Sequence, residues 1–241
     1  MNSVECLNCF SPILPAQRFC SDCGQKTDTH RLTMGHIGHD VLHAFTHTDK
    51  GMFHLIKALA INPGTVAREY VEGARKKYFN PFSFLILVTA IATILASSFN
   101  LVTGSTRKDP VSVFLDKHYN LLIFLNTPII AFFSWLLFRK SRKNFAEFLV
   151  MAAYATGERT VFFALIVVPL HIIFPHNHIP LTYANLIVWA FYLAWTTTVF
   201  ARENKVWGWV KSLIASALVH VIIYMLIFAV YAVYYRNYSP R

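Results

Sequence analysis

The chain has 241 residues, of which 55% are hydrophobic and only 14% charged, and its formal net charge is +10. A soluble domain carries about 25% charged residues, so this balance excludes an ordinary soluble globular protein and points to several helices in a bilayer. The basic excess does not point to nucleic acid. It gathers beside the apolar runs, as Arg75-Lys76-Lys77 before the first and Arg139-Lys140 with Arg142-Lys143 after the second, where such clusters set topology and touch anionic headgroups.

All four cysteines fall at the start, as Cys6-Leu-Asn-Cys9 and, ten residues on, Cys20-Ser-Asp-Cys23-Gly24. Two CxxC knuckles at that distance are the ligand set of a small zinc ribbon, each turn offering two thiolates to one tetrahedral site. Gly24 is expected to turn the chain through a positive φ beneath the metal. So short a segment buries too little apolar surface to fold alone, so residues 1–28 are read as a ribbon that needs its structural Zn2+. No basic region followed by an apolar one opens the sequence, so the head is expected in the reducing cytosol, where zinc is favoured over disulfides.

Residues 29–80 are read as amphipathic helices leading into the membrane. The first, 33–48, carries Ile37, Val41, Ala44 and Phe45 at helical spacing. It also sets His36, His39, His43 and His47 on one face, with Asp40 beside them. That stripe reads as a solvated face, a pH-sensitive surface or a second metal site. A second helix, 50–61, is expected to stop at Pro63-Gly64. A third, 65–78, would take Thr65 as its N-cap and Glu72 with Lys76 as an i,i+4 pair, its cationic end Arg75, Lys76 and Lys77 reaching headgroups.

The remainder, 81–241, is read as an all-α membrane domain of about five spans: 82–102, 120–138, 145–174, 181–201 and 212–235. The third run, about 45 Å if fully helical, is read either as one long tilted helix with a buried charge pair or as broken at Gly157. A break or kink is favoured because Pro169 also disturbs the second half. Loop charges agree with the count. The loops 139–144 and 202–211 are basic and expected inside, whereas 103–119 is mixed and 175–180 has no Lys or Arg, so both are expected outside. The N-terminus is then cytosolic and the C-terminus outside.

Within the spans, Glu158 and Arg159 are the ionisable pair that marks either a polar contact between helices or a polar path. His171 and His220 lie in apolar runs, where a lone imidazole reads first as an interhelical hydrogen-bonding group. No nucleophile elbow, phosphate-binding glycine loop or paired carboxylates are present, so nothing in the sequence points to an enzyme.

The block Asn62-Pro63-Gly64, Arg68-Glu69-Tyr70, Gly73-Ala74-Arg75-Lys76-Lys77-Tyr78 and Asn80-Pro81 resembles the signature of a bacterial family of polytopic membrane proteins of unknown function that carry zinc-ribbon heads. The head segment Phe19-Cys20-Ser21-Asp22-Cys23-Gly24 is similar to the ribbons of such proteins. The five-span plan resembles the Yip family in architecture only. These resemblances imply a bacterial inner membrane and a zinc-bearing head, and supply no activity. The expected function is a scaffold or interaction protein whose ribbon docks a protein partner, with a transporter or channel near Glu158 and Arg159, or a lipid-acting enzyme, as alternatives. A homo-oligomer fits any of the three.

Overall fold

The computed structural model describes residues 4–14, 17–35, 37, 51–99 and 118–238. Strands β1 (Val4–Glu5) and β2 (Pro12–Ile13) pair antiparallel in the head. The rest of the described architecture is mostly helical: α1 (Met52–Ile61), α2 (Pro63–Glu72), α3 (Pro81–Phe99), α4 (Tyr119–Leu137), α5 (Phe145–Phe162), α6 (Val168–Ile173), α7 (His178–Ala201) and α8 (Lys205–Tyr238). The imidazoles of His36, His39, His43 and His47, and most of the helix expected over 33–48, lie outside the described residues.

α1 and α2 form a hairpin about Asn62, with Pro63 as the first residue of α2, where its missing N–H costs nothing. The hairpin sits on α5 and α7 and buries Leu55, Leu59, Val66, Ala67 and Tyr70 against Phe148, Tyr154 and Phe200. Gly64 makes the close crossing possible: a Cβ there would lie 2.5 Å from the Thr196 carbonyl oxygen and 2.9 Å from the Phe200 nitrogen. Thr65 is therefore not an N-cap, since it lies inside α2. The helix also ends earlier than the sequence suggests, at Gly73 with φ +123°, which removes the geometry for a Glu72–Lys76 pair. Glu72 instead accepts from Arg202 at 3.1 Å and lies 3.8 Å from Lys143.

The long third apolar run is not broken at Gly157. α5 passes through that residue, and the Phe84 ring of α3 occupies the space a Cβ would take, its nearest atom 2.5 Å away. The irregularity comes later, as a π turn over Phe163–Val167 that runs into α6 just before Pro169. Proline has no N–H to return to the preceding turn, and a widened turn accommodates that loss. The run is long because it begins outside the depth of its neighbour. The Tyr154 hydroxyl donates to Phe79 O at 2.7 Å, so α3 starts beside residue 154, ~14 Å along α5 from Phe145 at 1.5 Å per residue. In the preceding segment Phe148, Met151 and Ala152 are fully buried, while Phe145 and Leu149 are partly so.

Four described helical stretches are long and apolar enough to cross a membrane: Asn120–Leu137, Phe145–Ile173, Pro180–Ala201 and Lys205–Tyr234. α3 carries a shorter apolar stretch, Pro81–Leu95. It is capped by Asn80, whose Oδ1 accepts from the backbone N–H of Phe82 at 2.9 Å and of Ser83 at 3.2 Å. α8 begins seven residues before the expected span, packed so closely on α7 that Gly208 lies against Thr198.

Candidate metal centre and its seat on the bundle

The two knuckles are built alike. Phe10 N–H donates to Cys6 O at 2.9 Å and Cys6 N–H to Ser11 O at 2.9 Å; Gly24 N–H donates to Cys20 O at 3.0 Å and Cys20 N–H to Gln25 O at 2.8 Å. Each turn closes through a residue in left-handed backbone, Phe10 at φ +63° and Gly24 at φ +68°. Glycine adopts that conformation freely, whereas a bulky side chain is strained there.

The four thiols, free of disulfides, converge. All four Sγ atoms lie within 4.8 Å of one another, with Cys6 to Cys23 at 3.6 Å and Cys9 to Cys20 at 3.5 Å. A disulfide requires ~2.05 Å, whereas a tetrahedral ion with metal–sulfur bonds of ~2.3 Å has sulfur–sulfur edges of ~3.8 Å. The donor set therefore fits a metal ion that prefers soft ligands. The Ser11 hydroxyl, 3.3 Å from Cys9 Sγ, pulls that thiol down to about 6, whereas burial pushes the Cys23 thiol up to about 11.

The head is fastened to the bundle at two places. Gln25, 4% exposed, grips the turn after α2: its Nε2 donates to Gly73 O at 2.7 Å, and its Oε1 accepts from the N–H groups of Arg75 at 3.1 Å and Lys76 at 3.2 Å. Leu7 fills the space beside Gly73, where a Cβ would meet its Cδ1 at 2.6 Å. At the second fastening, Arg31 donates to both carboxylate oxygens of buried Glu147, at 2.8 and 2.9 Å, and to Arg142 O at 2.7 Å. Glu147 also closes a capping box with Asn144 at the start of α5, and Asn144 Nδ2 donates to Leu32 O at 2.9 Å. Sequence reasoning missed Gln25, Arg31 and Glu147 as a constellation. The spacing Asn144-x-x-Glu147 was the one local signal available.

The basic triplet lies in the turn under the head. Arg75 donates to His30 O at 2.6 Å, Lys76 is exposed, and Lys77 pairs with Glu69 at 2.7 Å. Burial raises the Glu69 carboxyl, but hydrogen bonds from Lys77 and Tyr78 outweigh it and hold the group below the usual carboxylate range. Arg68 donates to Val199 O at 3.0 Å near the end of α7. The residues of the block around Arg68-Glu69-Tyr70 and Gly73 thus tie head, hairpin and bundle together.

Of the polar residues within the spans, Glu158 and Arg159 line one cavity, and Arg159 stacks 5.0 Å over the Trp189 ring. His171 and His220 each place Nδ1 on a carbonyl four residues back in the same run, Val167 O at 2.8 Å and Ser216 O at 2.7 Å.

Replacing Gln25 by Ala leaves a buried carbonyl and two N–H groups without their partner, a loss of about 1–3 kcal/mol for each unsatisfied group. Tryptic cleavage in the Arg75–Lys77 turn is expected to accelerate at least about tenfold, since 1.4 kcal/mol corresponds to that factor. The helical content of the bundle is expected to stay unchanged.

Fold and site together define a mostly helical, multi-pass membrane protein with a four-cysteine, metal-competent cluster near its N-terminus. A family model described as a protein of unknown function (DUF3667) matches residues 49–93, the segment that holds α1, α2 and most of α3. The chain matches no curated protein and no solved structure.

Proposed function

We propose that the thiolates hold one structural Zn2+ and that the protein is a five-span inner-membrane scaffold whose cytosolic ribbon docks a protein partner. The observation that carries the docking role is Phe10. It is a bulky residue at a backbone position suited to glycine, and its side chain is 73% exposed. Strain of this kind, about 1–3 kcal/mol, persists where the side chain is needed. Val4, Leu14 and Phe19 are exposed on the same small head, which the Gln25 and Arg31 fastenings hold rigidly.

Connectivity supports the fifth span. The head hydrogen-bonds Arg142 in the loop after α4, so head and loop share a side. α4 is long enough to cross; with α4 as a span its start at Tyr119 falls on the other side, and a further crossing before it is then required. Of the two shorter apolar helices described in that interval, α1 and α3, α3 carries the longer apolar stretch, Pro81–Leu95. Basic residues Arg139, Lys140, Arg142, Lys143 and Arg202 fall on the head side, which favours a cytosolic head.

A photo-reactive residue at position 10 in the native membrane is expected to capture one discrete protein. Capture should vanish with Cys20→Ser and survive Glu158→Gln. Indiscriminate capture, or capture that persists without the ribbon cysteines, contradicts the reading.

A further inference from the structure

At the tip of the α1–α2 hairpin a cavity of about 210 Å³ lies between Ala60, α5 and α7. Its walls are chiefly apolar and aromatic, with Phe162, Val188, Trp189 and Tyr192 among them. Glu158 intrudes on this lining. The residue is 9% exposed, and its Oε2 has no hydrogen-bond partner among the described residues. A carboxylate oxygen buried without a partner is costly, so its presence in a cavity points to a ligand that supplies a donor. Arg159 is beside it and stacks on Trp189. The cavity therefore presents one acidic and one basic group together, with no net charge.

Depth and surroundings identify the source of such a ligand. α3 begins beside Tyr154, and Glu158 lies one turn further on, ~6 Å along α5. Taking the start of the apolar stretch of α3 as the edge of the hydrocarbon, Glu158 lies just inside that edge, within reach of a lipid headgroup. Besides the two charged groups the lining holds one polar residue, Asn185, and its open side carries Val188, 50% exposed, as suits a wall that faces acyl chains.

We propose that this cavity receives the headgroup of a phosphatidylethanolamine-type lipid, its primary ammonium on Glu158 and its phosphate toward Arg159, with the tails lying outside past Val188. The charge pattern excludes the alternatives on chemical grounds. An anionic glycerol headgroup brings no cation to Glu158. A choline headgroup has no N–H to donate, and the Trp189 ring it would seek is already covered by Arg159. The site is separate from the ribbon and adds a lipid specificity that the docking role does not require.

The test is native mass spectrometry of the full-length protein released from nanodiscs holding equal phosphatidylethanolamine, phosphatidylglycerol and phosphatidylcholine. Wild type is expected to retain phosphatidylethanolamine about tenfold over either competitor, as a charge-assisted hydrogen bond warrants. Glu158→Gln is expected to erase that preference. Val188→Trp, which plugs the mouth and leaves both charged groups in place, is expected to lower retention of phosphatidylethanolamine alone. Equal retention of the three lipids by wild type overturns the proposal, as does a preference that survives both substitutions. Displacement of the lipid by an equal concentration of soluble glycerophosphoethanolamine overturns the assignment to a membrane lipid.

Discussion

Cys20→Ser is expected to take the bound metal from one ion per chain to none and to unfold the head while the helical bundle persists. A structural four-thiolate zinc site contributes about 10–16 kcal/mol to the folding of a small domain, far more than two short strands can supply. Cys20 is 3% exposed and sits 3.5 Å from Cys9 Sγ, so a serine leaves a weaker ligand in a closed site. Elemental analysis reads the metal, and tryptic cleavage after Arg18 and Lys26 reads the head. Far-ultraviolet circular dichroism should change little, because the helices carry their own core around Phe84, Phe148, Tyr154 and Phe200. Retained metal in the variant, or loss of the helical signal, contradicts this division.

The second large effect is at the hairpin. Gly64→Val drives a branched side chain into the backbone of α7, where even a Cβ meets Thr196 O at 2.5 Å and Phe200 N at 2.9 Å. Those atoms belong to a helix and cannot swing aside. Overpacking of this kind costs about 3 kcal/mol, and here it also levers Arg68 from Val199 O and Glu72 from Arg202. The variant is expected to unfold at markedly lower temperature in detergent. Gly51→Ala, at the N-cap of α1 where a Cβ meets nothing within 4 Å, should change stability by about 1 kcal/mol or less. Equal stability of the two variants sinks the close crossing.

The convergence of the four cysteines was legible because its information is local: the spacing of two knuckles brings the thiols together. Most of the apolar helices were legible from composition. The third run was misread in detail because apolarity does not distinguish a side chain facing lipid from one buried under protein. Its first turns are apolar since the hairpin covers them. Gly157 looked like a break, but its role is set by Phe84, which approaches from another helix. Pro63-Gly64 was read as a stop, while Gly64 is also a contact with a helix more than a hundred residues away. The fastening of the head was hidden for the same reason: Gln25 meets Gly73 across 48 positions and Arg31 meets Glu147 across 116, and no periodicity records such a pairing.

The claim that a metal-folded head is seated on the bundle is tested most directly by hydrogen exchange at the amides of Arg75 and Lys76, both bonded to Gln25 Oε1. In the metal-loaded protein these amides are expected to exchange slowly. After chelation they should exchange at least about tenfold faster, with the Tyr154-containing turn of α5 still protected. Fast exchange at both amides with the metal bound would contradict the account.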